Sequence, residues 1–259
     1  ACMTKRHFDK AWVVGGSIGI GRALALELAR LGVDVVVSAR GAESLAAVLR
    51  DGADLPGKLH AVPFDVTDRT ATQRAAREAA ALLGRIDLCV SCAGTHLPLG
   101  AKNFDAEKFR RLVDVNLMGT VHVLESVMAD FIERRSGHIA VVSSVAGYRG
   151  LPSSAGYGAT KAGLINMCES LKFDLDRAGV KLQLIDPGFV ATPLTAKNDF
   201  PMPFLMEADA AARQFYRGLL SDRFEVTFPK RFTWQLKLLR CLPYAAYFPI
   251  VRRMTRALS

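Results

Sequence analysis

The chain has 259 residues, of which half are hydrophobic, and a formal net charge of +9. This length and composition exclude a disordered protein and predict a substantial buried core in one domain or two. We recognise no secretory leader and no uncharged apolar run of the roughly 18 to 20 residues needed to cross a bilayer, so a cytoplasmic protein is expected.

Two kinds of segment alternate along the chain. Apolar, β-branched segments predict strands at "AWVVGG", "VDVVVSAR", "LHAVPFDV", "IDLCVSCAG", "HIAVVSS", "VKLQLIDPG" and "FEVTF". Segments with helical spacing lie between them, such as "RALALELARLG", "RTATQRAAREAAALLG" and "AGLINMCESLKFDLDRAG". Strands that are apolar on both faces and separated by helices predict a parallel sheet covered on both sides.

The predicted fold class is therefore α/β. We expect a single doubly wound, Rossmann-like domain over residues 1–228, with a central parallel sheet of about seven strands. A basic, amphipathic C-terminal extension is predicted over residues 229–259, where the composition changes.

A glycine-rich segment, "VVGGSIGIGRALA", follows the first predicted strand and contains Gly15, Gly19 and Gly21. Glycine lets the backbone turn sharply and approach a pyrophosphate, while the next helix offers unpaired N–H groups and the positive end of its dipole. The position between a strand and a long helix favours a dinucleotide-binding loop over an ordinary turn.

The end of the second predicted strand, "VVVSARG", bears on the choice of cofactor. Ala39 stands where an NAD site would hold an Asp or Glu for the ribose, and Arg40 follows it. A guanidinium can bind a 2′-phosphate, although a surface arginine needs no such role. Because the acidic residue is also missing, the pattern favours NADP(H).

Cys89 and Cys92 form a C-x-x-C motif in the fourth predicted strand. A zinc site would need a second such pair, and thiol redox chemistry would have the motif at the start of a helix. The apolar strand around these residues instead predicts buried structural thiols, and we expect no metal site.

Tyr157 and Lys161 lie four residues apart in "SSAGYGATKAG", so they share one face of a predicted helix. The lysine ammonium is expected to lower the phenol pKa from about 10 toward neutrality, which would let Tyr157 exchange a proton with a carbonyl or alcohol oxygen. Ser144 ends the strand "HIAVVSS", and Asn116 is a polar residue in an apolar helix. Each has an ordinary structural explanation when taken alone, but their order and spacing together favour catalysis.

With these residues the chain closely resembles the classical short-chain dehydrogenases/reductases over residues 10 to about 228. The resemblance rests on the glycine loop, "FDVTD", "DPGFVATP" and the positions of the family's catalytic tetrad, Asn116, Ser144, Tyr157 and Lys161. It implies that Tyr157 is the acid/base and that Ser144 orients the substrate oxygen. It also implies that Lys161 lowers the tyrosine pKa and holds the nicotinamide ribose, and that Asn116 supports a proton-relay water.

The same resemblance predicts the cofactor contacts. "FDVTD" would contact adenine, whereas "DPGFVATP" would flank the nicotinamide and its carboxamide. The cofactor predicted is NADP(H), and a homodimer is predicted on the helices that contain Asn116 and Tyr157. The predicted cofactor-binding residues are Gly15, Ser17, Ile18, Gly19, Ile20, Gly21, Arg40, Asp65, Val66, Ala93, Gly94, Tyr157, Lys161, Pro187, Gly188, Val190 and Thr192.

Two segments depart from the family pattern. Val14 replaces the threonine usual before the first glycine, and the family's N-N-A-G reads "SCAG", with Ser91 and Cys92. In the family these segments brace each other beside the cofactor. Their joint change predicts an altered brace rather than lost chemistry.

The segment "PLTAKNDFPMPFLMEADAAARQFYRGL" corresponds to the family's substrate lid and is strongly apolar. We predict that Phe200 and Phe204 contact the substrate together with Ser144 and Tyr157. An apolar lid favours a lipophilic substrate over a sugar or a small acid, although a loop packed under a helix would have a similar composition.

The C-terminal extension combines aromatic and aliphatic residues with basic residues only, which leaves +2 for the first 225 residues. Such a composition is typical of helices at an anionic membrane surface; a dimer-forming arm and a helix over the protein's own substrate mouth are the alternatives. With the apolar lid, it loosely resembles the 3-ketodihydrosphingosine reductase-like branch, which reduces long-chain keto lipids. Steroid, retinoid or β-keto acyl carbonyls fit nearly as well. The basic residues are Lys230, Arg231, Lys237, Arg240, Arg252, Arg253 and Arg256.

The leading hypothesis is an NADPH-dependent reductase of a lipophilic carbonyl compound, acting at or near a membrane. The alternative is a catalytically idle NADP-binding sensor or scaffold that the extension recruits to a membrane or a partner. The intact tetrad favours the enzyme. We expect no nucleic-acid binding, because the aromatic residues of the extension alternate with long aliphatic ones and no known nucleic-acid-binding module surrounds them.

Overall fold

The computed structural model describes residues 8–197 and 201–256. Seven strands of the described chain form one parallel sheet: β1 (Lys10–Val14), β2 (Asp34–Ser38), β3 (Leu59–Ala61), β4 (Leu88–Ser91), β5 (His138–Val142), β6 (Lys181–Pro187) and β7 (Glu225–Phe228). Their order across the sheet is β3-β2-β1-β4-β5-β6-β7. The chain reverses its direction of winding between β1 and β4, which is where folds of this class bind their ligands. The predicted α/β, doubly wound fold is confirmed.

Helices cover both faces of the sheet: α1 (Gly19–Arg30), α2 (Ala42–Asp51), α3 (Arg69–Leu83), α4 (Ala106–Leu112), α5 (Gly119–Glu133), α6 (Ala155–Arg177), α7 (Ala208–Leu219), α8 (Lys230–Arg240) and α9 (Tyr244–Arg256). A single π-helical turn, Val113–Met118, joins α4 to α5. Trp12 and Val14 of β1 point into a core shared with α3, α5, α6 and α8, whereas Ala11 and Val13 point into a core shared with α1, α2 and α7. This two-sided burial explains why the strands are apolar throughout.

One helical stretch of the described chain, Ala106–Glu133, is long and apolar enough to cross a membrane. It carries charged residues, among them Asp114, Glu125 and Asp130, so it is not the uncharged apolar run whose absence is expected. Its second half is α5, which packs against the sheet through four buried side chains, Val123, Leu124, Val127 and Phe131. Core packing accounts for the apolar composition of this helix.

The C-terminal extension forms α8 and α9, and the predicted division at residue 228 coincides with the end of β7. Phe232 and Leu236 of α8 are buried in the same core as α6. Over residues 244–254 of α9, the buried side chains are Tyr247 and Val251. The residues that follow β1, β4, β5 and β6 lie at the carboxyl edge of the sheet, and α8 begins at this same edge, directly after β7.

Candidate active site

The glycine loop between β1 and α1 packs against the segment that follows β4. Gly15 has a φ of +83°, and a Cβ atom there would lie 2.5 Å from the backbone nitrogen of Ala93. A Cβ atom on Gly21 would lie 2.2 Å from the carbonyl oxygen of Gly15. The N–H of Cys92 donates to the carbonyl of Val14 at 2.8 Å. The two departing segments therefore still brace each other, through backbone groups and close glycine packing.

The start of α1 fits a pyrophosphate. Ile18 occupies the N-cap position in an extended conformation, and its side chain caps none of the N–H groups of the first turn. These groups, together with the helix dipole, attract an anion. Ser17 and Ile20 lie in the same turn, and a Cβ atom on Gly19 would lie 3.1 Å from Cγ2 of Thr192. The glycine loop and the segment after β6 therefore line one cleft.

Arg40 and Asp65 lie beyond the carboxyl ends of β2 and β3. Nη1 of Arg40 is 3.9 Å from Oδ2 of Asp65, and the arginine side chain is 65% exposed. Burial raises the pKa of Asp65, but hydrogen bonds from Thr67 and the charges of Arg40 and Arg111 outweigh it and hold this pKa below its usual value. The exposed guanidinium of Arg40 thus lies at the end of β2, and Ala39 beside it provides no carboxylate.

Asn116 lies in the π-helical turn, and its side chain is fully buried. Its Oδ1 accepts a hydrogen bond from the N–H of Thr95 at 2.7 Å, and its Nδ2 donates to the carbonyl of Thr95 at 3.0 Å. Nδ2 also donates to Oγ1 of Thr160 at 3.2 Å. Asn116 therefore ties the segment after β4 to α6. Single π-helical turns are frequent at functional sites.

Lys161 is buried below Tyr157 on α6. Its Nζ donates to the carbonyl of Val142 at 2.9 Å and lies 5.6 Å from the centre of the Tyr157 ring. Desolvation lowers the pKa of Lys161 to about 8. A Cβ atom on Gly94 would lie 3.8 Å from Nζ, so glycine keeps the space beside the ammonium open.

Ser144 follows β5, and its Oγ accepts a hydrogen bond from the N–H of Ala146 at 3.1 Å. Desolvation raises the pKa of Tyr157 on α6 to about 12, although the nearby Ser144 hydroxyl lowers it. The expectation that Lys161 brings this pKa toward neutrality is therefore not met in the protein alone. Spacing along a helix gives the distance between two groups, but it does not report how strongly both are desolvated.

The short chain dehydrogenase family model matches residues 9–201. A relative from Myxococcus xanthus (strain DK1622), described as an uncharacterized oxidoreductase, is 40% identical over 253 residues, which are 97% of this chain and 100% of the relative. The chain belongs to the short-chain dehydrogenase family. It is an oxidoreductase with the fold that binds a nicotinamide cofactor.

Two further comparisons describe the similarity of this short-chain dehydrogenase to known proteins. The 3-oxoacyl-[acyl-carrier-protein] reductase FabG of Thermotoga maritima is 32% identical over 185 residues, which are 71% of this chain and 75% of that protein. The solved structure of a short chain dehydrogenase/reductase from Burkholderia phymatum in complex with NAD aligns with a TM-score of 0.83 at 23% identity. That alignment covers 90% of this chain and 94% of the other, and it supports the fold alone.

The segment after β6 connects the cofactor cleft of this short-chain dehydrogenase to α8. Pro187 ends β6, and a Cβ atom on Gly188 would lie 2.7 Å from Cδ1 of Phe232. Val190 is buried and forms an isolated parallel β-bridge with Met206. The excursion of the chain between these two residues therefore begins and ends at this β-bridge. The predicted lid segment, residues 193–219, begins within this excursion, and its last part is α7.

Within the lid, Phe204 is 45% exposed, and its ring centre lies 6.1 Å from that of Phe232. Phe200, the other predicted substrate contact, lies outside the described residues. The side chain of Val66 is buried against Gly119 of α5. Its carbonyl oxygen lies 2.9 Å from Nδ1 of His122. The predicted adenine contact of Val66 would therefore be made by its backbone.

His96 is a site residue that the sequence did not indicate. Its ring meets the Tyr157 ring edge-on, with 4.9 Å between centres. His96 follows Thr95, and the Asn116 side chain makes two hydrogen bonds with the backbone of Thr95. A histidine directly after the "SCAGT" segment is the only local signal that could have pointed to it.

The cysteines of the C-x-x-C motif are free thiols, and burial raises the pKa of both, that of Cys92 to about 11. The Lys161 ammonium lies close enough to Cys92 to offset part of the rise in the thiol pKa. Among the described residues no group of three His, Cys, Asp or Glu side chains could hold a metal ion.

Asp186, directly before Pro187, is a second residue that the sequence did not indicate. Its side chain is fully buried, and neither carboxyl oxygen has a hydrogen-bond partner at normal distance. Burial and the neighbouring Glu225 raise the pKa of Asp186. Glu225 itself stays ionised, because hydrogen bonds from Lys237 and Tyr148 outweigh its burial.

Replacing Asp186 with asparagine is expected to stabilise the protein more at pH 8.5 than at pH 5. The pKa of Asp186 is higher in the folded protein than its ordinary value of 3.8, which it has in the unfolded chain. The folded protein therefore loses stability as the pH rises above 3.8, because the buried carboxyl group must ionise. The amide cannot ionise, so the variant escapes a cost of about 2 kcal/mol at the higher pH. Thermal unfolding at both pH values measures this difference, with Asp209→Asn on the exposed face of α7 as the control. A stability difference independent of pH would contradict the prediction.

Proposed function

We propose that this short-chain dehydrogenase is an NADPH-dependent reductase of a lipophilic carbonyl compound, with a keto group on a long chain as the substrate class. The observation that carries the proposal is the position of Tyr157 above buried Lys161, whose Nζ lies 5.6 Å from the centre of its ring, with the Ser144 hydroxyl close by. When bound, the dinucleotide supplies the hydride that reaches the carbonyl carbon. Tyr157 gives its proton to the carbonyl oxygen, and Ser144 orients that oxygen by a hydrogen bond.

The apolar surface beside this pair supports a lipophilic substrate. Phe232 of α8 lies 5.3 Å from Phe189 and 6.1 Å from Phe204, between ring centres, so three aromatic rings cluster where α8 meets the lid and the segment after β6. Leu205 adds a further exposed apolar side chain. The 3-oxoacyl reductase of T. maritima, at 32% identity, supports a keto group carried on an acyl chain.

The activity is tested by following NADPH oxidation over ketones of rising chain length, from short keto esters to long-chain 3-keto lipids presented with anionic vesicles. We expect kcat/KM to rise with chain length, because each buried methylene contributes about 0.8 kcal/mol. Turnover that is independent of chain length would contradict the lipophilic substrate. Tight NADPH binding without turnover on any ketone would favour an idle NADP-binding sensor instead.

Arg40→Ala is expected to weaken NADPH binding about tenfold to a hundredfold and to leave NADH binding unchanged. The guanidinium is the charged group available to a 2′-phosphate, and a charged hydrogen bond of this kind contributes about 1.5–3 kcal/mol. Fluorescence titration of both cofactors measures the effect. Arg50→Ala, at the exposed end of α2, is the matched control. Equal weakening of both cofactors would contradict a role in NADP selection.

A homodimer built on α5 and α6 and a cytoplasmic location complete the proposal. Phe173 on α6 and Ile132 on α5 are large apolar side chains exposed in the single chain, and a dimer interface would cover such groups. Light scattering during size-exclusion chromatography tests the association.

A further inference from the structure

The outer sides of α8 and α9 carry large apolar side chains that no other part of the described chain covers. On α8, Trp234 and Leu238 are 62% and 67% exposed, and Arg231 lies on the same side at helical spacing. On α9, Tyr244 and Phe248 stack with 5.5 Å between ring centres, and both are more than half exposed. We call the set Arg231, Trp234, Leu238, Tyr244 and Phe248 the tail face; Arg253 is a further exposed basic residue of α9 outside this set.

The charge around the tail face has one sign. Seven basic residues and no acidic residue occur from Val226 to the end of the chain. Glu225 is the nearest acid in sequence, and it is already paired with Lys237 on the inner side of α8. The tail face therefore complements an anionic surface.

We propose that the tail face binds the interface of an anionic lipid bilayer. Tryptophan, tyrosine and phenylalanine with aliphatic neighbours enter the headgroup boundary, while arginines pair with lipid phosphates. A second copy of the chain fits less well, because a two-fold interface would bring basic residues against basic residues with no carboxylate between them.

The inner side of α8 gives such docking a consequence for the reaction. Phe232 packs against Gly188 and lies near Phe204 of the lid, so the side of α8 opposite Trp234 contacts the lid and the segment after β6. A membrane-bound enzyme would therefore meet a lipid substrate at its own lid. This consequence rests on the proposed function, whereas the docking itself does not.

The two tryptophans make the docking directly measurable. Trp12 is fully buried, and its Nε1 donates to Oγ of Ser38 at 3.0 Å, whereas Trp234 is exposed. We expect vesicles of phosphatidylcholine mixed with phosphatidylglycerol to shift the emission of Trp234 to the blue, and pure phosphatidylcholine vesicles to have little effect. The shift should disappear in Trp234→Phe, in which only Trp12 reports.

A charge-reversal pair tests the role of the arginines. Arg231→Glu/Arg253→Glu should lower the fraction that sediments with the mixed vesicles about tenfold or more. Arg74→Glu/Arg77→Glu, on the exposed side of α3, makes the same change in net charge and should leave sedimentation nearly unchanged. Reduction of a short soluble ketone should be the same in both double variants, which separates docking from catalysis.

Three results would overturn the proposal. The first is a Trp234 emission that no vesicle shifts. The second is a shift that follows protein concentration without vesicles, which would assign the tail face to a second copy. The third is equal loss of sedimentation in the two charge-reversal variants, which would reduce binding to net charge alone.

Discussion

Replacing Tyr157 with phenylalanine is expected to lower kcat/KM for carbonyl reduction about 10³-fold, while the Kd for NADPH stays nearly unchanged. In the proposed reaction the phenol donates its proton to the carbonyl oxygen, and phenylalanine keeps the ring that packs on His96. Because desolvation raises the pKa of Tyr157 to about 12, the residue holds its proton at neutral pH, which is the state that reduction requires. Steady-state NADPH oxidation with one fixed ketone measures the loss.

Tyr216→Phe is the matched control for this experiment. Tyr216 belongs to α7, on the opposite face of the sheet, so removing its hydroxyl should leave the rate within about twofold of the wild type. Cofactor titration of both variants separates lost chemistry from lost binding. A Tyr157→Phe variant that keeps the wild-type rate would assign the proton to another group.

The fold could be predicted because its signals are local and repeated. All seven apolar segments quoted from the sequence contain a strand of the sheet. β3 is shorter than its segment, "LHAVPFDV", and ends at Ala61, although the N–H groups of Val62 and Phe64 still donate to carbonyls of Val37 and Ala39. Periodicity indicates that a strand exists, but it does not fix the residue at which the strand ends.

The residues of the candidate site could be predicted only where their spacing along the sequence brings them together. Tyr157 and Lys161 share a helix face, and the glycine loop follows β1 as expected. His96 and Asp186 were missed because their importance comes from neighbours on other elements, the Tyr157 ring and Glu225. No residue pattern predicts such contacts between distant parts of the chain.

The extension illustrates the same limit in another way. Its composition left a membrane contact, a dimer arm and a helix at the substrate mouth as alternatives. In the structure the inner side of α8 lies against Gly188 through Phe232, while Trp234 on the outer side is exposed. The membrane contact and the helix at the substrate mouth therefore concern opposite sides of α8, and these two alternatives do not exclude each other.

Arg149→Ala is expected to cost about 3 kcal/mol of unfolding free energy and to lower kcat/KM about tenfold. The guanidinium donates to the carbonyls of Leu239, Arg240 and Leu242 at the end of α8. It also lies 4.7 Å and 4.0 Å from the ring centres of the first and second tyrosines of α9. Arg149 stands between Ser144 and Tyr157 in sequence, so losing this clamp loosens both the extension and the loop that positions the reacting hydroxyls.

Arg134→Ala separates these two effects, because Arg134 makes a similar clamp at the opposite end of the sheet. Its guanidinium donates to the carbonyls of Ser136 and Ile86 and lies 4.6 Å from the Phe131 ring centre. Both variants should therefore melt at lower temperature, but only Arg149→Ala should lose activity where both remain folded. Amide hydrogen exchange should rise in α8 and α9 of Arg149→Ala alone. If the two variants lost activity equally, α8 and α9 would serve only general stability, and the positioning of Ser144 and Tyr157 would not depend on them.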